Sequence, residues 1–286
     1  MRFDSGIEKL KEINYYQPES ELKQHIVSLE AHFQEHPPAT IKQAQHEVEI
    51  ITGVRRSETQ IREFLKKTQS ALSKVGMLPA KADPEKQKEF LEQELQPRLE
   101  EAQAGKRVVL FVDAAHFVLA PFLGLLWSVV RVFMQAPSGR QRFNVLGALN
   151  AITHELITIT NDAYITAESV CALLEKIANL YVGIPISIFL DNARYQKCAL
   201  VIEKAKTLKI ELCFLPSYSP NLNLIERMWK FVKKKCLYSK YYEKFPAFKA
   251  AISKCLDETM TTHKPDLDSL LTLRFQLFQK TQFVTV

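Results

Sequence analysis

The sequence predicts a mixed α/β domain carried behind a small helical unit. Three observations predict it. From residue 106 onward, short apolar runs of strand length alternate with stretches of helical period. Two of those runs, RVVLFVD at 107–113 and ISIFLD at 186–191, are continuous in β-branched and aromatic residues, as strands covered on both faces are. Ahead of them, residues 37–75 hold two short helical patterns joined at a glycine. With 286 residues, 47% of them apolar, the chain can bury a sizeable core and divide into more than one domain.

The elements follow in order. Residues 1–36 read as a polar connector with one helix, Glu21 to Phe33, whose apolar face (Leu22, Ile26, Leu29, Phe33) finds no partner within the segment. Pro37-Pro38 closes it. Thr40 caps a helix running to Thr52, Gly53 supplies the turn, and Ser57 with Gln60 forms a capping box that opens a second helix to about Gln69. This pair, at 37–75, reads as a helix-turn-helix. Arg55, Arg56, Arg62, Lys66 and Lys67 would then meet DNA, although any helical hairpin with a solvated basic face gives the same pattern. VGMLPAKADP at 75–84 is a linker. Pro84 starts an acidic helix that ends at Gly105 and is kinked near Pro97. Residues 76–105 therefore join the helical unit to a domain at 106–286. Within that domain, strands are expected at 106–112, 142–152, 156–159, 186–190 and 210–215. Helices are expected at 166–180, 194–208 and 223–235, with more helix from Phe245 onward.

Composition narrows the function classes. No run is long and apolar enough for a membrane span, and the N-terminus lacks the apolar centre of a signal peptide, so a cytoplasmic protein is expected. Five cysteines without a short paired spacing argue against a zinc site or a disulfide framework and read as packed thiols. The net charge is +6, and the excess of Lys and Arg lies after residue 105, as a polyanion-binding surface requires.

Three carboxylates stand out. Asp113 and Asp191 each end one of the two matching apolar runs, and Glu226 sits in an amphipathic helix with 34 residues between it and Asp191. A carboxylate inside a buried strand is costly, whereas one at the strand's end reaches the cleft where α/β sheets bind ligands. If the two strands are parallel neighbours, the aspartates share one space, and a cation must offset their repulsion. Oxygen ligands suit Mg²⁺ or Mn²⁺. Plainer readings exist. A strand-end Asp is often a turn residue, and Glu226 can be the third residue of a helix capped by Asn223. A haloacid-dehalogenase-like phosphatase would need a second acid at position 115, which is Ala115. Lys230, Lys233, Lys234 and Lys235 follow Glu226 and are placed for phosphate contact. Arg194 could do the same or form an ordinary surface ion pair.

DAAHF at 113–117, LDNARYQ at 190–196 and LPSYSPNLNLIERMWKFVKK at 215–234 resemble the three acidic blocks of the DDE transposases. The bacterial insertion sequences of the IS-six-thirty type, in the Tc/mariner superfamily, are the group they resemble most. SYSPNLNLIE is the most specific block, and the resemblance extends over roughly residues 37–286. It implies a ribonuclease-H-like mixed sheet flanked by helices, with Asp113, Asp191 and Glu226 binding two divalent ions, Mg²⁺ or Mn²⁺. It implies cleavage of double-stranded DNA at terminal inverted repeats, joining to a TA target, and a working homodimer on DNA in the bacterial cytoplasm. His116 and Asn192, beside triad members, either support the site from behind or are satisfied structural polar residues. Family members carry an additional DNA-binding unit before the one at 40–69, which is not visible here. The alternative is a copy that only binds DNA; a different nuclease on the same core is a third reading.

Overall fold

The computed structural model describes residues 20–68, 79–120, 122, 129–130, 133–135 and 141–278. Two compact units are present, with residues 20–68 in the first and 79–278 in the second.

In the first unit a 3₁₀ turn, Glu21–His25, leads into α1 (Ile26–Glu35), followed by α2 (Ile41–Thr52) and α3 (Glu58–Lys67). The caps are those the sequence announces. The Thr40 hydroxyl accepts from Gln43 N–H, Gly53 takes a left-handed φ of 69°, and Ser57 and Gln60 cap each other's backbone. The apolar face of residues 22–33 has its partner here: Leu22 and Leu29 are buried with Ala44, Val48, Ile61 and Phe64. The helix-turn-helix is thus the back of a three-helix core. Arg56 has a partner within the unit: its guanidinium pairs with Glu21 at 2.8 Å, tying the first turn to the α2–α3 loop. Lys66 is similarly engaged by Glu63 at 2.8 Å. Arg62 and Lys67 are exposed, as is Arg55, whose Nε stands 4.0 Å from Glu49.

The second unit begins with α4 (Pro84–Phe90) and α5 (Gln96–Gln103), continuous through a π-turn at Leu91–Leu95. The sequence suggests a kink near Pro97. The wider turn stands immediately before that proline, which has no N–H to give the preceding turn. Leu95, Leu99 and Ala102 bury against the sheet, so this helix belongs to the α/β unit and is more than a linker.

The sheet has five strands: β1 (Val108–Val118), β2 (Arg142–Asn150), β3 (Leu156–Asn161), β4 (Ile186–Leu190) and β5 (Ile210–Phe214), in the order β3-β2-β1-β4-β5. β1, β2 and β3 are antiparallel, while β4 and β5 add in parallel on the other side of β1. α6 (Ala167–Leu180) and α7 (Ala199–Thr207) cover one face, burying Leu110, Val112, Leu146 and Ile188. α8 (Ile225–Cys236), α9 (Phe245–Asp257) and α10 (Lys264–Leu270) lie with α4–α5 on the other, over Val109, Phe111, Phe117 and Phe189. All five cysteines are free thiols, three of them buried. Among the described residues, no helix is long and apolar enough to cross a membrane.

Candidate active site

The site is set by register. β1 and β4 run parallel and pair up to Val112↔Leu190, so the next residues, Asp113 and Asp191, leave that last pair side by side. The placement of Asp113 differs from expectation in one respect. β1 does not stop there but continues to Val118, because β2 keeps pairing with it while β4 has ended. Asp113 is therefore a mid-strand residue with one flank open. Its partner across the antiparallel pair is Gly147.

Strand alternation then sorts the neighbours. Asp113 lies on the same face as Phe111, Ala115 and Phe117, under α8. Trp229 of α8 is 2% exposed, and its indole N–H donates to Asp113 Oδ2 at 3.1 Å. The six-membered ring of that indole rests on Gly147, where a Cβ would stand 2.6 Å from Cη2. Its other neighbour is Phe117, edge-on at 6.3 Å. Glycine at 147 is thus a condition for Trp229 to reach Asp113.

Electrostatics ties the acids together. Burial, with the charges of Glu226 and Asp191 added, pushes the Asp113 carboxyl up to about 7. Asp191 is raised by burial, and Asn223 beside it favours the charged form. The Asn223 carboxamide, 2% exposed, nevertheless completes no well-formed hydrogen bond through either of its atoms. Glu226 is raised by burial and by Asp191, against the opposing ammonium groups of Lys230 and Lys233. The capping role for Asn223 is not observed: the backbone N–H of Glu226 meets the carbonyl of Asn223, and no side chain caps α8. Tyr195, in the turn after β4, has its phenol pushed up to about 12 by burial and by both aspartates. As the side chains lie, no three Asp, Glu, His or Cys groups among the described residues stand close enough to hold an ion.

Other expected residues fall elsewhere. His116 is on the opposite face of β1 from Asp113. Its Nδ1 meets Asn144 Oδ1 at 2.7 Å, and Asn144 reaches Asn161 and the Ala163 carbonyl, a polar seam joining three strands and a loop. It does not support the carboxylates. Asn192 is exposed and donates to the Leu215 carbonyl at 2.5 Å, holding the ends of β4 and β5 together. Arg194, Lys230 and Lys234 are exposed. Lys235 is exposed too, with its ammonium paired to Asp266 at 2.8 Å and set over the Phe231 ring.

Sequence reading missed Trp229, Gly147 and Tyr195 as site residues. Trp229 shows as an ordinary core position of the helix. Only the sheet register puts Gly147 beneath it.

The sequence profile of the DDE superfamily endonuclease domain matches residues 130–249, a span that contains Asp191 and Glu226 but begins after Asp113. Over that span the chain is similar to a DDE superfamily endonuclease domain. Its solved structural relatives include the Mos1 strand transfer complex, with 15% identity, a TM-score of 0.54, and coverage of 83% of this chain and 70% of that one. The Mos1 transposase paired-end complex with the left transposon end aligns over 94% of this chain and 87% of that one, with 11% identity and a TM-score of 0.58. The Mos1 mariner paired-end complex with Mg aligns over the same shares, with 12% identity and a TM-score of 0.57. A comparison with curated proteins gives no match. The α/β unit has the ribonuclease-H-like fold of these transposases: a mixed five-stranded sheet between helices.

Proposed function

We propose that the protein is a transposase, a metal-dependent endonuclease and DNA strand transferase of the Tc/mariner type, nearest in its motifs to the IS-six-thirty insertion sequences. It would cut double-stranded DNA at terminal inverted repeats and join the ends to a TA target, working as a homodimer because two ends must be held together, in the bacterial cytoplasm. The observation that carries the reading is the register of Asp113 beside Asp191 at the point where β4 ends, with Glu226 in their electrostatic field.

Asp113, Asp191 and Glu226 would hold two Mg²⁺ or Mn²⁺ ions. The donor chemistry fits. These are hard oxygen ligands. Burial raises all three carboxyls, and neighbouring carboxylates add to the rise at Asp113 and Glu226, a cost that a divalent cation offsets. When bound, such ions supply an activated water or 3′-hydroxyl and stabilise charge on the leaving oxygen. The chain's own groups do the rest. Trp229 fixes one oxygen of Asp113. Lys230 and Lys233, beside Glu226, are placed to take the phosphates of the bound strand, with Arg194 and Lys234 exposed nearby in sequence. Arg55, Arg62 and Lys67 are the basic residues of the three-helix unit we assign to duplex contact.

A second reading is a protein that binds DNA without cutting it. It is favoured by the orientation of Asp113, whose carboxyl is held by Trp229, and by the absence of a ready three-ligand cluster among the described residues. The deciding experiment is nicking of a duplex carrying the element's own ends in Mg²⁺ or Mn²⁺. Metal-dependent nicks that vanish in Asp191→Ala while DNA binding persists support the enzyme. Binding without nicks by the unaltered protein supports the alternative, and nicking that survives Asp191→Ala removes the assignment of the site.

A further inference from the structure

The segment from Leu215 to Asn223, between β5 and α8, holds a feature the carboxylates do not use. Tyr218 sits there at a φ of 59° and is 50% exposed. For a bulky residue this left-handed conformation is strained, because Cβ crowds the next carbonyl. The surroundings impose it. Gln87, wholly buried, donates to the Tyr218 carbonyl at 3.4 Å. Asn221 donates both to Gln87 Oε1 at 3.0 Å and to the Gln276 carbonyl at 2.8 Å. Asn192 holds the Leu215 carbonyl at the other end. A loop fixed on both sides thus turns one aromatic ring outward.

Packing does not need that ring: Tyr218 belongs to neither apolar cluster of the sheet. The ammonium of Lys81 stands 6.0 Å from its centroid. Position adds meaning. β5 ends beside β4 at Leu190↔Phe214, so the loop leaves the same sheet edge as Asp191 and leads on to Glu226. Residues held in sparsely populated conformations cluster where a protein works on a ligand. A solvent-facing ring with an adjacent cation is the combination that binds unpaired nucleotides, the ring through a base and the cation through a phosphate.

We propose that Tyr218 is a stacking platform for an unpaired nucleotide of DNA at the acidic edge, with Lys81 contacting the neighbouring phosphate. The proposal rests on the reading of the chain as a DNA strand transferase, and its test is separable from that reading. The probe is a duplex with a short unpaired 3′ tail containing 2-aminopurine, titrated with full-length protein without added metal, beside the same duplex with blunt ends. Wild type and Tyr218→Phe are expected to quench the probe. Tyr218→Gly removes the ring and suits the positive φ, so it is expected to keep or raise the melting temperature while losing the quench and about 5- to 100-fold of affinity for the tailed duplex. Blunt-duplex affinity is expected to stay unchanged. Lys81→Gln is expected to weaken tail binding modestly and flatten its salt dependence. Quenching by Tyr218→Gly equal to wild type overturns the proposal, and so does an equal loss of affinity for both duplexes. Quenching by a wild-type protein that nicks no duplex supports the platform and overturns only the nuclease reading.

Discussion

Gly147→Ala is expected to damage the active site through one ring. The added methyl would stand 2.6 Å from Cη2 and 2.8 Å from Cζ2 of Trp229, with Ile225 Cδ1 at 3.1 Å. Ordinary carbon contacts begin near 3.4 Å, so the indole must retreat by roughly 0.8 Å. It has little room: Phe117 meets its edge and Asp113 holds its N–H. Overpacking of this kind costs about 1–3 kcal/mol. Against it stands a gain of about 0.5–1 kcal/mol, since alanine loses less backbone freedom than glycine in a strand. A net loss of about 1–2 kcal/mol is expected. In a Trp229→Phe background the two clashing carbons are gone. There the same substitution is expected to be neutral or slightly stabilising, a coupling of at least about 1 kcal/mol between the two positions. Urea unfolding followed by far-ultraviolet circular dichroism on the four proteins measures it. Nicking by Gly147→Ala is expected to fall further than its stability loss explains, since the displaced indole releases Asp113. Equal costs of Gly147→Ala in both backgrounds would refute the argument that this glycine exists to seat Trp229.

Other outcomes follow from the same coordinates. Metal-free protein is expected to lose stability as pH rises from about 4 towards 7. The Asp113 carboxyl, raised to about 7, binds a proton more tightly folded than unfolded, and Asp113→Asn should remove the largest part of this decline, on the order of 4 kcal/mol between pH 4 and 8 in chemical melts. Glu211 has the opposite sign. Arg98 first, then Ser187 and Arg107, hold it down to about 2, so its contribution is present above about 4.5 and is lost as pH falls towards 2. Its side chain is 40% exposed, so solvent screening reduces the effect, and Glu211→Gln is expected to cost about 1 kcal/mol at pH 7 and less at pH 3. Arg227 donates to the carbonyls of Leu270, Thr272 and Arg274, fastening the segment after α10 to α8 beside Glu226. Lysine lacks that fork, so Arg227→Lys is expected to cost about 1–3 kcal/mol and to raise amide exchange across residues 270–274.

Much of this was legible in the residues alone. The β-branched runs at 107–113 and 186–191, the capping box at Ser57, the alternation of strand and helix, and the spacing of Asp191 and Glu226 are local signals, written in nearest-neighbour sterics and hydrophobic period. They foretell a mixed α/β sheet behind a helical unit, and the resemblance of the acidic blocks implies its ribonuclease-H-like form. Tertiary structure decided the rest, because register and facing are relations between segments distant in sequence. It carried β1 five residues past Asp113, since β2 paired where β4 had ended. Alternation along that strand sent His116 to the far face and left Trp229 as the neighbour of Asp113. It set Arg56 across from Glu21, Lys66 from Glu63 and Lys235 from Asp266, so three cations of the expected DNA surface carry a carboxylate partner. A basic side chain announces its charge in the sequence, but whether a carboxylate stands across from it depends on packing that no local pattern encodes.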